Sequence, residues 1–415
     1  MYYYRYQDQI LCSKESCDDL TQIEEQEAAE GSDKVYMVFE RPVEKSRRSF
    51  CISDPSLLGL EEEGLNLLQS PTVADYDLPQ WLIQKIKDRK VMGVNRSFPN
   101  WKEVLRMTFP PKWRVHVLGM GDVGGTLITG LRLLGGDCIE TIGIYDRSEE
   151  KIKRWAFEAN QILSTFEEQS YPSVIGIEED QLFDCHMFVF CASKGVPPVG
   201  EAVKDVRMIQ FEGNCQLLEH YAEMARKANF QGIFAVVSDP VDLLCKYVYL
   251  ASNKDKDTGK MDYAGLAPEQ VRGYGLGVMH ARAAYYAGQS LETAHYIQEG
   301  RAFGPHGKDL IIADSIVRYN DERSQLLTEK ARNANLEIRA TGFKPYIAPA
   351  LSSGALSLIA TIKGKWHYSA TYMGGVYMGA KNRLLDVGTE VERVDIPDDL
   401  RKRLEHTYQS LADII

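Results

Sequence analysis

The chain has 415 residues, 44% of them hydrophobic and 26% charged, and carries a formal charge of −11. That length provides for two or three domains with sizeable cores, and the acidic balance argues against a broad nucleic-acid or anionic-membrane surface, leaving only a local basic pocket. No apolar run approaches the ~18 residues of a membrane-spanning helix. The opening Met1-Tyr-Tyr-Tyr-Arg-Tyr-Gln-Asp-Gln9 has no signal-peptide core. Eight cysteines, at 12, 17, 51, 138, 185, 191, 215 and 245, include no CxxC pair. They read as reduced, mostly buried thiols of a cytoplasmic protein, not a zinc site or a disulfide framework.

Residues 1–110 are expected to form a small α+β extension. Its acidic run, Glu24, Glu25, Glu27 and Glu30, reads as a solvated face. Two apolar stretches, Val35–Phe39 and Ser49–Ser53, are expected to pair as a hairpin across Arg41–Arg48. Amphipathic patterns follow at Trp81–Ile86 and Trp101–Met107, and Pro110-Pro111 closes the segment. No chemistry is legible here; the segment is expected to pack on the main body or on another subunit.

From Trp113 the pattern alternates strand and helix. An apolar strand from Val115 runs into Gly119-Met120-Gly121-Asp122-Val123-Gly124, and helical spacing follows through Leu127, Ile128, Leu131 and Leu134. In such a turn the first glycine allows the bend and the second lets backbone approach a pyrophosphate. The third lets helix and strand pack, and the N–H groups at the helix start face the negative charge. The second strand, Thr141–Tyr145, ends at Asp146. A carboxylate about 20 residues past the glycines can bind both hydroxyls of an adenosine ribose and repel the 2′-phosphate of NADP. Arg147 works against that discrimination, and the plainer reading of Asp146 is a turn or cap acid. A helix over Lys151–Thr165, a strand at Met187–Cys191, a helix from Lys204 to Ala228 and a strand at Gly232–Val237 complete the rhythm. Repeated units of this length predict a doubly wound parallel sheet over residues 111–252. Beyond it the pattern changes. A Gly304-Pro-His306-Gly307 turn precedes apolar Leu310–Ile312, with helical stretches at Asp321–Asn335 and Leu351–Ile362. Strands are expected around Tyr372–Gly379, and a capped terminal helix over Asp395–Ile415. Residues 253–415 are expected to form an α+β domain completing a cleft at the C-terminal edge of the sheet.

Several motifs then fall in one order, and that order resembles the lactate/malate dehydrogenase family over about three quarters of the chain. The glycine turn and Asp146 come first. Arg207 precedes Asn214 by seven positions, Val236-Val-Ser238-Asp239-Pro-Val-Asp242 is similar to a strand ending in T/S-N-P-V-D, and Gly273-Tyr-Gly275-Leu-Gly-Val-Met279-His-Ala-Arg282 to G-x-G-x-x-L-D-x-x-R. Gly304-Pro-His306-Gly307 resembles the G-x-H-G turn of the family's catalytic histidine. The resemblance implies a Rossmann-type domain followed by an α+β catalytic domain. It implies NAD as cofactor, held by Gly119, Met120, Gly121, Asp122, Val123, Gly124, Asp146, Arg147, Ala192, Ser193 and Ser238. It implies interconversion of a 2-hydroxy acid and a 2-oxo acid by hydride transfer. His306 would be the acid/base, Arg282 the carboxylate clamp and Arg207 the polarising residue on a mobile loop, with Asn214 and Ser353 also on the substrate side. A homodimer or homotetramer is implied by the resemblance alone. The chemistry suits these types: histidine exchanges protons near neutral pH and arginine grips a carboxylate with two prongs. Taken singly, His306 could equally be a surface-loop histidine, and Arg282 and Arg207 surface ion-pair residues. His186, His220, His280 and His367 have no motif behind them and are expected to be structural.

Three positions depart from the pattern. The aspartate that would orient the histidine is Met279. The asparagine before Pro-Val-Asp is Asp239. The specificity position falls on Pro198 or Glu201, depending on which end of the loop is aligned, and neither is the glutamine expected for lactate nor the arginine expected for malate. A carboxylate is thus lost at one wall of the pocket and gained at another, so Asp239 is expected to contact His306 and replace the missing partner. The rival reading is a scaffold that binds NAD for a regulatory purpose without turnover, and a carboxylate at this site disfavours simple 2-oxo acids by repulsion. The NAD-dependent glycosidase branch ranks last, because neither Cys-Asn-Pro nor Gly-Leu-Cys-His occurs.

Overall fold

The computed structural model describes residues 1–71, 77–164, 170–194 and 206–415, with backbone alone for 206–209. The N-terminal stretch builds a six-stranded sheet of its own from β1 (Tyr2–Tyr6), β2 (Gln9–Ser13), β3 (Thr21–Ile23), β4 (Val35–Phe39), β5 (Ser49–Cys51) and β6 (Val91–Asn95), in the order β3-β1-β2-β4-β6-β5. Helices α1 (Glu25–Glu30) and α2 (Gln80–Lys87) accompany it. The expected hairpin between β4 and β5 does not form. β6 lies between them, parallel to β4 and antiparallel to β5. Gly93 of β6 explains the arrangement: a Cβ there would stand 2.9 Å from the Phe50 ring and 3.2 Å from the Phe39 ring. The two aromatics close over the bare glycine, with centroids 5.7 Å apart, so the strands meet through their side chains across an inserted neighbour.

The second sheet begins with β7 (Trp113–Leu118), β8 (Ile139–Tyr145), β9 (Ser173–Gly176), β10 (Met187–Phe190), β11 (Ile233–Val236) and β12 (Val271–Gly273). All six are parallel, in the order β9-β8-β7-β10-β11-β12. This is the doubly wound order, reversing direction between β7 and β10, where ligands of such sheets bind. The connecting helices are α3 (Asp122–Leu134), α4 (Glu149–Asn160), α5 (Val206–Lys227), α6 (Val241–Ser252) and α7 (Leu276–Ala287). β10 and β11, Met-Phe-Val-Phe and Ile-Phe-Ala-Val, are buried at every position, as strands covered on both faces must be.

β12 lies past residue 252, and the sheet does not stop there. After α8 (Tyr296–Glu299) come the small hairpin β13 (Arg301–Phe303) and β14 (Ile311–Ala313), and then α9 (Asp321–Ala340). A π-helical stretch, Pro349–Ala355, runs into α10 (Leu356–Ile362). Strands β15 (His367–Met373), β16 (Val376–Leu385) and β17 (Gly388–Val391) continue the main sheet antiparallel from β12, giving nine strands among the described residues. Helix α11 (Asp398–Ala412) closes the chain.

The N-terminal sheet is built into this body. One buried cluster runs from Tyr3, Ile10 and Phe50 to Phe188, Tyr372 and Tyr377. Arg48, fully buried, donates from Nε to Glu269 Oε1 at 3.1 Å, and its N–H reaches Glu269 Oε2 at 3.1 Å. Removing one partner of such a pair strands a buried charge, at a cost of about 3 kcal/mol or more. Glu269→Ala should therefore lower unfolding stability by about that amount in urea titration; an unchanged midpoint would show that the sheet is held without this pair.

Candidate functional site

The glycine turn after β7 divides its labour as the spacing predicts. Gly119 has φ +98°, and a Cβ on it would press on the Ala192 backbone at 2.8 Å. At Gly124 a Cβ would stand 1.9 Å from the Gly119 carbonyl oxygen, so the helix start cannot carry a side chain there. A Cβ at Gly121 would meet nothing within 4 Å. That residue is the N-cap of α3 and supplies no capping side chain, so the first N–H groups of the helix face an open concavity, the arrangement that receives phosphate. A dinucleotide's pyrophosphate fits this cradle.

Asp146, at the end of β8, leans onto the same turn. Its Oδ2 accepts from the Met120 N–H at 2.7 Å, and its Oδ1 from the Ser148 N–H at 3.1 Å. Lys151 Nζ stands 3.5 Å away. The carboxylate is thereby locked beside the glycines, as a ribose-binding acid must be. Ser238 ties the neighbouring loops by donating to the Ala192 carbonyl at 2.7 Å. On the other rim, Lys344 pairs with Asp122 at 3.1 Å.

The second half of the site lies at the end of β11 and in the loop joining β13 to β14. Asp239 Oδ1 is 3.2 Å from His306 Nδ1. The two residues that sequence reasoning expected to meet are in contact. The histidine loop is held from beneath. Gly304 (φ +82°) donates its N–H to the Gly379 carbonyl at 2.9 Å, and Thr407 donates to the Asp309 carbonyl at 3.0 Å. Gly275 is glycine for a related reason, since a Cβ there would stand 2.9 Å from that of His306. Asn214, fully buried on α5, accepts from the Lys194 N–H at 3.1 Å and donates to the Asp239 carbonyl at 2.8 Å. It braces the loops after β10 and β11 against each other and sets the height of Asp239.

Met279 is 2% exposed on α7, and one turn on Arg282 places Nη1 3.6 Å from its sulfur. Burial pushes the Arg282 pKa down, while Tyr286 and the negative charge of Asp239 act the other way. His306, Asp239 and Arg282 therefore form one electrostatic group. Ser353 accepts from the Val278 N–H at 2.8 Å and donates to the Gly275 carbonyl at 2.7 Å; it pins the start of α7 and acts on the site through that helix. Arg207 begins α5, but its side chain, like Pro198 and Glu201, lies outside the described residues.

The four histidines that no motif supports, His186, His220, His280 and His367, have structural partners. Burial drives the pKa of His367 down to about 3 and that of His280 down to about 4. His367 packs against the Thr361 and Ser369 hydroxyls, and His280 meets Tyr296. His186 accepts from the Arg114 N–H at 2.9 Å, and His220 stands 3.5 Å from Glu179 at the surface. Sequence reasoning missed the Lys344–Asp122 clasp and the bracing action of Asn214. The first joins residues 222 positions apart and leaves no local signal.

No protein-family model matches the chain. It is similar to the L-lactate dehydrogenase of Halalkalibacterium halodurans, 26% identical over 237 residues, which are 54% of this chain and 69% of that one. Among solved structures it superposes on a lactate dehydrogenase from a Medee basin deep-sea metagenome library. That match has a TM-score of 0.60 at 17% identity over 73% of this chain and 98% of the other. It also superposes on the lactate dehydrogenase of Cryptosporidium parvum, solved with lactic acid and β-nicotinamide adenine dinucleotide, with a TM-score of 0.59 at 17% identity over 74% and 98%.

The glycine turn yields a direct contrast. Gly124→Ala must open the turn and should lose about 1–3 kcal/mol of stability, the usual cost of overpacking. Gly121→Ala, with free space around it, should unfold at the wild-type temperature. Equal melting points for both variants would contradict the assignment of roles.

Proposed function

The chain belongs to the lactate/malate dehydrogenase family, and we propose that it is an NAD-dependent oxidoreductase interconverting a 2-hydroxy acid and a 2-oxo acid. The observation that carries this reading is the 3.2 Å contact of His306 with Asp239, set beside a nucleotide cradle at one edge of one sheet. Residues 111–252 hold the dinucleotide, Asp146 at its ribose and the start of α3 at its pyrophosphate, while residues 253–415 supply the substrate side. When bound, the nicotinamide supplies the hydride acceptor. The chain's own residues manage charge and protons. Arg282 binds the substrate carboxylate, and Arg207 polarises the carbonyl. The His306–Asp239 pair holds or releases the proton of the substrate oxygen, as an acid/base worth about 10²–10⁴-fold in rate.

Met279 removes the carboxylate that other members place behind the histidine, and Asp239 provides one from the opposite side. The pair thus keeps its charge with the position exchanged. The competing reading, a protein that binds NAD and turns nothing over, draws on the same Met279. NADH oxidation against a panel of 2-oxo acids separates them. The enzyme reading expects at least one substrate to be reduced, and His306→Ala to lower kcat/KM by about 100-fold or more. If the variant matches the wild type on every acid, the catalytic reading fails.

A further inference from the structure

We propose, resting on the dehydrogenase reading above, that the acid/base roles in this pair are exchanged: Asp239 touches the substrate oxygen, and His306 is the positioning residue that holds it. The observations lie in how the two nitrogens of His306 are used. Nδ1 is committed to Asp239 Oδ1. Nε2 is buried and has no hydrogen-bond partner among the described residues. A histidine serving as proton carrier needs one nitrogen on its orienting group and the other on the substrate; in this ring neither nitrogen is presented to the cleft. The carboxylate is. The side chain of Asp239 is 45% exposed against 20% for His306, and it stands at the C-terminal edge of the parallel sheet, at the end of β11.

The protonation state follows from the same geometry. Charging the ring would place an N–H at Nε2 with no acceptor in a buried site, which costs the full desolvation of that group. On this proposal the proton sits on Nδ1, donating to Asp239, and Nε2 is left bare. A neutral donor holds the carboxylate in place without neutralising it. Arg282, whose charge and that of Asp239 feel each other, supplies the positive field. In the oxidative direction the substrate O–H bond breaks and its proton passes to the Asp239 carboxylate. A nicotinamide held by the glycine turn and Asp146 would, in its oxidised form, accept the electron pair of the neighbouring C–H bond as hydride, leaving the carbon–oxygen bond double. The exposed carboxylic acid then returns its proton to water.

The asymmetry between the nitrogens supplies the test. Asparagine in place of His306 keeps an amide donor near the Nδ1 position and has nothing at Nε2. His306→Asn should therefore recover turnover to within about tenfold of wild type, where His306→Ala loses 100-fold or more, and Asp239→Asn should be as inactive as any variant of the pair. Independently of turnover, ¹⁵N NMR of histidine-labelled protein should show His306 at neutral pH as the neutral tautomer, protonated at Nδ1 and bare at Nε2. The proposal is overturned if His306→Asn is as inactive as His306→Ala while Asp239→Asn keeps activity, or if the resonance shows a proton on Nε2. Absence of turnover by the wild type on every 2-oxo acid would overturn the dehydrogenase reading instead, and the tautomer would still decide how the pair is arranged.

Discussion

The 3.2 Å contact between Asp239 and His306 is where the chain's two halves become one site. Asp239 lies in the loop that follows β11 of the parallel sheet, and His306 on a hairpin loop outside it. Each is fixed by its own supports: Asp239 by the Asn214 amide on its carbonyl, His306 by the Gly304–Gly379 and Thr407–Asp309 bonds beneath the loop. A carboxylate and an imidazole held this way keep their separation without being adjacent in sequence. Such preorganisation gives an electrostatic site its advantage over water.

The N-terminal sheet enters the same economy from the far side. Its buried arginines, Arg47 on Glu63 and Arg48 on Glu269, are joined by hydrophobic residues shared with the main body. Glu269 lies two residues before the start of β12, and β12 leads through Tyr274 to Gly275 and α7. The extension thereby grips the root of the element that carries Met279 and Arg282. It is part of the scaffold on which the candidate site is built.

Much of the nucleotide half was legible in the sequence because its constraints are local. A turn that needs three glycines at fixed offsets, an apolar strand before it and an acid at the end of the next strand all leave marks within thirty or so residues. The histidine loop was legible through the order of motifs, and the contact of Asp239 with His306 through the carboxylate that stands before Pro240-Val241-Asp242. What stayed hidden was non-local. β1 and β2 join through Gln7, which takes φ +53°, without the Asn-Gly or Asp-Gly pair that announces a hairpin. The β4–β6 pairing is parallel across α2, and no local pattern distinguishes it from the hairpin that Val35–Phe39 and Ser49–Ser53 suggested. The sixth parallel strand, only three residues long, is too short to show a period.

Whether one negative charge moved from one wall of the site to the other can be measured by exchanging the carboxylate back. The double variant Met279→Asp, Asp239→Asn puts a carboxylate on α7 and removes the one in the loop after β11. With a carboxylate on α7 behind His306 and none in front of it, the histidine takes over the proton-carrying role, and turnover of a 2-oxo acid with NADH should return in the double variant to well above that of Asp239→Asn alone. A double variant no more active than Asp239→Asn alone would contradict the account, because the two positions would then not be sharing one charge.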